Sequence, residues 1–315
     1  MKILNTIGPQ FNPEAKSMLA RIGEVSYGVL SQDALKRTIG GCEVLVVGLG
    51  LSVGKDVIDA VPRLKLIATA TTGIDHIDVA YAREKGIEVL SLQDEDLREA
   101  TGTAELAFGL LLALVRHIPE ALGDVRRGNW MREKFSGNNL SGKTLGIVGL
   151  GRLGSMVAQY GKAFGMRVVA YDPYQDASDI AQLVDFNMLL SESDVVSVHA
   201  PLTDETANMF NRKAFGRMKQ TALLVNTARG AIVNEADVLA ALEKKTIAGY
   251  ATDVLAGETE LSGDVSRHPL VVYAREHGNL VITPHIGGNT IESRAATDKI
   301  IAKKVCDRYR EPYGS

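Results

Sequence analysis

Arg229, Glu258 and His285 are the residues of this chain best suited to chemistry by type and setting. Each follows an apolar run: Asn226-Thr227-Ala228-Arg229-Gly230, Asp253-Val254-Leu255-Ala256-Gly257-Glu258 and Thr283-Pro284-His285-Ile286-Gly287-Gly288. A guanidinium can grip a carboxylate and an adjacent carbonyl oxygen in one planar fork. An imidazole is a near-neutral base, and a carboxylate on its other ring nitrogen keeps it ready to be cationic. Together they suit the exchange of hydride and proton at a carbon that bears a hydroxyl beside a carboxylate. Taken singly, blander readings compete. Arg229 could make a surface ion pair, and Glu258, with Glu260 close by, would more often be solvated. Yet an arginine between Ala228 and Gly230 is an odd surface residue, and a histidine between a proline and two glycines is poorly placed for a core. With His199 in His199-Ala200-Pro201-Leu202-Thr203, four successive strands each deliver polar groups to one sheet edge. His199 belongs on the adenosine side of a bound nucleotide. His117 falls at a helix end, and His76, His268 and His277 fall in loops, where solvated rings are expected.

Such chemistry needs a hydride carrier, and a frame to hold it. The run Lys143-Thr144-Leu145-Gly146-Ile147-Val148-Gly149-Leu150-Gly151-Arg152-Leu153-Gly154 reads as strand, Gly-x-Gly-x-x-Gly and helix, with the helix expected from Ser155 to Phe164. A second strand, Arg167 to Tyr171, ends at Asp172, eighteen residues past Gly154. This order is the dinucleotide fingerprint. Gly149 permits the tight turn, Gly151 lets backbone approach a pyrophosphate, and Gly154 lets helix and strand pack closely. The helix N-terminus offers free N–H groups and a positive dipole to the phosphates. Asp172 can accept the adenosine ribose hydroxyls and would repel a 2′-phosphate, so the cofactor is read as NAD. Gly48-Leu49-Gly50-Leu51-Ser52-Val53-Gly54 mimics the motif, but its third glycine comes one residue late and the next strand ends in no acid. It is read as a turn, not a nucleotide site.

The elements around these residues alternate. Before about Leu92, strands at Lys2 to Ile7, Glu24 to Tyr27, Val44 to Val47, Lys65 to Ala70 and Ile87 to Leu90 are separated by helical stretches. Gln93 to Arg98 is a charged link. A long apolar helix then runs from Ala100 to about His117, ended by Pro119, with a second helix from Glu120 to Arg127. Six further strands are expected between Thr144 and Thr283, and one helix from Thr290 to Tyr309 returns to the first sheet. Apolar strands separated by helices imply parallel sheets covered on both faces. The fold class is therefore α/β with two doubly wound parallel-sheet domains, one of residues 1–98 plus 289–315, the other of residues 99–288. With 315 residues, 45% hydrophobic, and a net charge of −3, the chain can bury two cores and offers no basic footprint for nucleic acid or an anionic membrane. Cys42 and Cys306 form no metal-ligand spacing, so two reduced thiols and no metal are expected. The apolar run Leu106 to Val115 is too short to span a bilayer, and the N-terminus enters a strand directly, so a cytoplasmic location is expected.

These motifs resemble the D-isomer-specific 2-hydroxyacid dehydrogenases nearly end to end. The match covers Thr72-Gly73-Ile74-Asp75-His76-Ile77-Asp78, Thr103-Ala104-Glu105, the Leu140 to Gly154 fingerprint and the four strand-end clusters. The resemblance implies a Rossmann NAD-binding domain inserted into a flavodoxin-like substrate domain. It implies Arg229, Glu258 and His285 as the catalytic trio, with Arg229 and His285 also touching substrate. Gly149, Gly151, Arg152, Leu153, Gly154, Asp172, Thr227, Ala228, Gly287 and Gly288 would line NAD, with His199, Pro201, Thr206 and Thr103, and Asp253 would hold the nicotinamide carboxamide. Backbone N–H groups at Thr72 and Gly73 would bind the substrate carboxylate as a hinge closes. A homodimer is implied. The substrate is expected to be a small, unphosphorylated 2-hydroxy or 2-keto acid, by the following contrast. Phosphoglycerate dehydrogenases place arginines in the loop that matches Gly48 to Val53, which here has no charge; only Lys55 or Arg98 could substitute. Phosphoglycerate dehydrogenase and an NAD-binding, corepressor-like scaffold are the alternatives.

Overall fold

The computed structural model describes residues 1–97, 100–261 and 264–309. Arg98, the candidate phosphate ligand, lies outside them. The chain divides into two compact units, Met1–Ala100 with Thr290–Ser315, and Thr101–Asn289.

The first unit contains β1 (Lys2–Asn5), α1 (Pro13–Leu19), β2 (Glu24–Tyr27), α2 (Gln32–Thr38), β3 (Val44–Val47), α3 (Lys55–Asp59), β4 (Leu66–Thr69), α4 (Val79–Glu84) and β5 (Glu88–Leu90). Its five strands are parallel, in the order β2-β1-β3-β4-β5. Strand alternation divides its core in two. Leu45, Val47 and Ile67 pack with α2, α3 and α4 on one face. Val44, Val46, Leu66 and Ala68 pack on the other with α1 and the chain's last helix, Ile291–Tyr309. That last helix is tied to α1 by Asp298, which accepts the Asn12 N–H at 2.9 Å. Local signals start the helices. Asn12 caps α1 ahead of Pro13, and Asp78 caps α4 through the Tyr81 N–H.

The second unit contains α5 (Gly102–Val115), α6 (Ile118–Arg126), β6 (Thr144–Val148), α7 (Arg152–Ala163), β7 (Arg167–Tyr171), β8 (Gln182–Leu183), α8 (Phe186–Glu192), β9 (Val195–Val198), α9 (Arg212–Phe215), β10 (Leu223–Asn226), α10 (Glu235–Glu243), β11 (Gly249–Thr252), α11 (Pro269–Ala274) and β12 (Leu280–Ile282). All seven strands are parallel, ordered β12-β11-β10-β9-β6-β7-β8. Leu145, Ile147, Val168 and Val195 face α5 and α7. Val148, Val169, Val196 and Leu224 face the helices of the opposite layer. Covered on both faces, each sheet is doubly wound. The strand order reverses between β6 and β9, and such a switch point is where ligands of open α/β sheets bind.

Three expectations change. The sheet has a seventh strand, β8, whose two residues pair with Val169 and Ala170 and are too short to show a pattern. α7 starts at Arg152 rather than Ser155, with Gly151 as its N-cap, so Gly154 lies inside the first turn. α5 is not ended by Pro119. The break is at His117, left-handed at φ 53°, and the two helices meet at 65°. Pro119 sits in the first turn of α6, where its missing N–H costs nothing. Among the described residues no single helix is long and apolar enough to cross a membrane. α5 is apolar nearly all round because it is buried.

Candidate functional site

The fingerprint glycines each have a geometric reason. Gly149 has φ +87°, and a Cβ there would lie 2.7 Å from the Ala200 nitrogen. A Cβ on Gly154 would lie 2.0 Å from the Gly149 carbonyl oxygen, so only glycine lets α7 start this close to β6. A Cβ on Gly151 would meet nothing within 4 Å, and no side chain caps α7. The start of α7 therefore has room for a group at Gly151, as pyrophosphate binding at a helix N-terminus requires. Gly48 in the look-alike loop has no positive φ.

Asp172, at the end of β7, accepts the N–H of Leu150 at 2.8 Å and that of Tyr174 at 2.9 Å. Gln175 donates to the Leu150 carbonyl at 3.0 Å, so both backbone groups of Leu150 are gripped from the β7 side. Each Asp172 oxygen keeps acceptor capacity for a ribose hydroxyl. His199 accepts or donates at Nε2 with Ser197 Oγ at 2.8 Å, and burial drives its pKa down to about 4, so its ring is neutral. Thr206 Oγ1 donates to the Pro201 carbonyl at 2.6 Å and accepts the Thr203 N–H at 2.8 Å, which folds the Pro201–Thr206 loop on itself. Thr227 Oγ1 is buried at the end of β10 with no hydrogen-bond partner among the described residues. A buried hydroxyl left alone is costly, and a bound nucleotide would supply its partner. The room at Gly151, the acid after β7 and this orphaned hydroxyl fit NAD.

The loops after β10, β11 and β12 are locked to one another. Asn226 accepts the Ala228 N–H at 3.0 Å and donates to the Arg229 carbonyl at 2.9 Å, and Arg229 Nη1 donates to the Ala228 carbonyl at 2.8 Å. A Cβ on Gly230 would lie 2.1 Å from the Leu255 carbonyl carbon, so the Arg229 loop lies flush on the backbone that leads to Glu258. Glu258 Oε1 takes the Nδ1 side of His285 in direct contact, and Oε2 accepts the Leu255 N–H at 3.2 Å. His285 is left-handed, φ 52°, a strained setting for a residue with a side chain. Asp253 imposes it. This carboxylate, 1% exposed, accepts from Thr283 Oγ1 at 2.5 Å, Ile286 N at 2.9 Å and Gly287 N at 2.7 Å, while the Asp253 carbonyl accepts the His285 N–H at 2.8 Å. Gly287 in turn leaves room for Thr103, whose side chain would lie 3.1 Å from an added Cβ; nothing lies within 4 Å of one on Gly288.

Thr72 and Gly73 lie in the other unit, in the loop after β4, where Thr71 Oγ1 donates to the Gly73 carbonyl at 2.7 Å. Two histidines depart from the solvated reading. His76 is buried, with Nε2 3.3 Å from Thr69 Oγ1. The His268 side chain is 9% exposed and meets Glu235 at 3.1 Å. Lys55 does not stand free for a phosphate, because its ammonium lies over the Tyr81 ring, 5.0 Å from the centroid. Sequence reasoning missed Ser197, Gln175, Glu235 and His268. Glu235 reads as an ordinary acid in the first turn of a helix, and nothing in its spacing links it to His268.

Residues 108–287 match the family model described as D-isomer specific 2-hydroxyacid dehydrogenase, NAD binding domain. The chain is 39% identical over 285 residues to a hydroxypyruvate reductase of Thermotoga maritima, covering 90% of each. It is 37% identical over 311 residues to a D-3-phosphoglycerate dehydrogenase of Methanocaldococcus jannaschii, covering 97% of this chain but only 57% of that enzyme's length. Among solved structures, the D-lactate dehydrogenase of Aquifex aeolicus, complexed with NAD and lactic acid, superimposes with a TM-score of 0.85 at 28% identity, covering 97% of this chain and 94% of that one.

Proposed function

The chain belongs to the D-isomer-specific 2-hydroxyacid dehydrogenases, and from that membership we propose that it interconverts a small, unphosphorylated D-2-hydroxy acid and its 2-keto acid. The observation that carries the reading is the Glu258–His285 contact at the mouth of the NAD-binding sheet, beside the Arg229 loop. NAD bound at the fingerprint supplies the hydride acceptor or, reduced, the donor. Arg229 grips the substrate carboxylate and polarises its C2 oxygen. Glu258 fixes the tautomer and direction of His285, so that Nε2 faces the substrate oxygen. In reduction, the proton on Nε2 passes to the keto oxygen as hydride reaches C2. In oxidation the same nitrogen takes the hydroxyl proton.

The absence of phosphate recognition is supported by the Gly48–Val53 loop. Gln32 clasps its Ser52 backbone, donating to the carbonyl at 2.7 Å and accepting the N–H at 2.9 Å, and no residue of the loop carries charge. The likeness to phosphoglycerate dehydrogenases favours the second reading, in which the substrate is phosphorylated. NADH oxidation measured with glyoxylate, pyruvate, hydroxypyruvate and phosphohydroxypyruvate separates the two. Turnover confined to the phosphorylated acid would overturn the first. Tight NADH binding with turnover of none would favour a scaffold. Arg229→Ala should abolish turnover and leave NADH affinity nearly intact. A homodimer through the second unit is part of the proposal, supported by Ile118, Leu122 and Val125 exposed along α6 with Trp130 and Met131 following. Cys42 and Cys306, both buried and in no disulfide among the described residues, suit a reducing cytoplasm.

A further inference from the structure

A second histidine–carboxylate pair stands behind the first, and it holds the loop on which Glu258 sits. Glu235, the first residue of α10, divides its carboxylate between two tasks. Oε1 accepts the Ala256 N–H at 2.9 Å, and Oε2 meets His268 Nε2 at 3.1 Å. Ala256 lies two residues before Glu258, and its nitrogen would lie 2.3 Å from a Cβ on Gly230, so this backbone is also the floor under the Arg229 loop. Glu258 Oε2 in turn accepts the adjacent Leu255 N–H. The backbone segment Leu255–Ala256 is therefore held by one carboxylate from behind and another from the site. His268 is committed to this contact. Its Nδ1 is buried with no hydrogen-bond partner among the described residues, so its polar bonding runs through Nε2 to Glu235. Burying an imidazole nitrogen unpaired is unfavourable, and the compensation on view is a fixed Glu235.

We propose that Glu235, oriented by His268, is a positioning residue that sets the Leu255–Glu258 backbone and thereby the Glu258–His285 contact. The proposal rests on the dehydrogenase reading for its kinetic consequence but not for its structural one. Removing the Glu235 carboxylate frees the Ala256 amide, lets the loop relax away from Gly230, and loosens the carboxylate on His285. Displacement near 1 Å is enough to cost on the order of tenfold or more in rate.

The test compares Glu235→Ala, Glu235→Gln and His268→Ala with the parent by steady-state kinetics, NADH fluorescence titration and proton NMR. The readout in NMR is the downfield Nδ1–H resonance of His285, assigned by its loss in His285→Ala. The expected result is an approximately tenfold fall in kcat for Glu235→Ala, with KM for the keto acid and NADH affinity little changed. The His285 resonance should shift or broaden. Glu235→Gln, whose amide oxygen still accepts the Ala256 N–H, should recover most of both. Unchanged kcat and an unchanged resonance in Glu235→Ala, whatever its melting temperature, would show that Glu235 serves only α10 and would overturn the proposal. Should Glu235→Ala fail to fold, His268→Ala decides, because an undisturbed resonance there overturns it equally. If the parent reduces no 2-keto acid, the dehydrogenase reading fails while the NMR comparison still judges the positioning role.

Discussion

Replacing Asp253 with Asn tests whether His285 is held in place by strain that its surroundings maintain. The carboxylate is 1% exposed and accepts three hydrogen bonds, from Thr283 Oγ1, Ile286 N and Gly287 N. Asn preserves the shape but brings one acceptor oxygen. With that oxygen toward Thr283 and Ile286, its NH2 faces the Gly287 N–H, so two donors meet in a buried site. One charge-assisted bond is lost, worth about 1.5–3 kcal/mol, and an unsatisfied donor costs about 1–3 kcal/mol more. Relaxation of the loop recovers part of this, leaving an expected loss of about 3 kcal/mol. His285 at φ 52° stores strain on the order of 1 kcal/mol or more, so a loosened loop releases its ring from the site, and about 30- to 100-fold in kcat should go with it. Urea unfolding of the cofactor-free protein, read as a midpoint shift at constant slope, gives the first quantity. Turnover at saturating NADH and keto acid gives the second. A variant within about 0.5 kcal/mol of the parent that nevertheless loses turnover would refute the reasoning, since Asp253 would then act on the cofactor and not on the loop.

Asp172→Ala should weaken NADH binding about tenfold, by loss of the ribose contacts and of the Leu150 anchor, and relax discrimination against NADPH; fluorescence titration with both nucleotides checks it. Gly230→Ala forces a Cβ to within 2.1 Å of the Leu255 backbone, so unfolding experiments should show a loss of about 3 kcal/mol or more, with reduced turnover in whatever folds. His199 makes stability pH-dependent. Its ring titrates near 6.5 when unfolded and at about 4 when folded, so the unfolded chain binds the proton first as pH falls. Stability contributed by the neutral ring is therefore complete above about pH 6.5 and lost between there and about pH 4. The residue retains some exposure, which makes about 3 kcal/mol a ceiling. His199→Asn should flatten the urea midpoint across that window; an unchanged slope would show that the ring is charged in the folded protein.

Much of the fold was legible because parallel strands buried on both faces are continuous apolar runs. Val44–Val47 and Val195–Val198 could be read directly, and Gly48 or Pro201 marked where each chain segment leaves its sheet. β8 was not legible, since two residues cannot show a period and its existence depends on β7 beside it. The α5–α6 break was misassigned to Pro119 because proline is the stronger local signal, whereas His117 adopts a left-handed conformation that no neighbour in sequence announces. For the site, glycine and strand-end positions could be read because each motif is contiguous. His76 and His268 could not, because burial is a long-range property and a loop histidine looks the same whether it faces water or a carboxylate.

What the sequence could not convey is how the strand-end clusters depend on one another. Gly230 is required not by its own turn but by the Leu255–Ala256 backbone, and that backbone is held in turn by Glu235 and Glu258. Asp253 leaves β11 yet spends its carboxylate on residues following β12. In a parallel sheet, neighbouring strands end side by side, so loops distant in sequence are forced into contact at the carboxyl edge. The polar groups that would be expensive to bury singly become affordable there because each satisfies the next. The same closure explains why a left-handed histidine can persist after β12. Its conformation is one consequence of a hydrogen-bonded edge that already contains the acid it contacts.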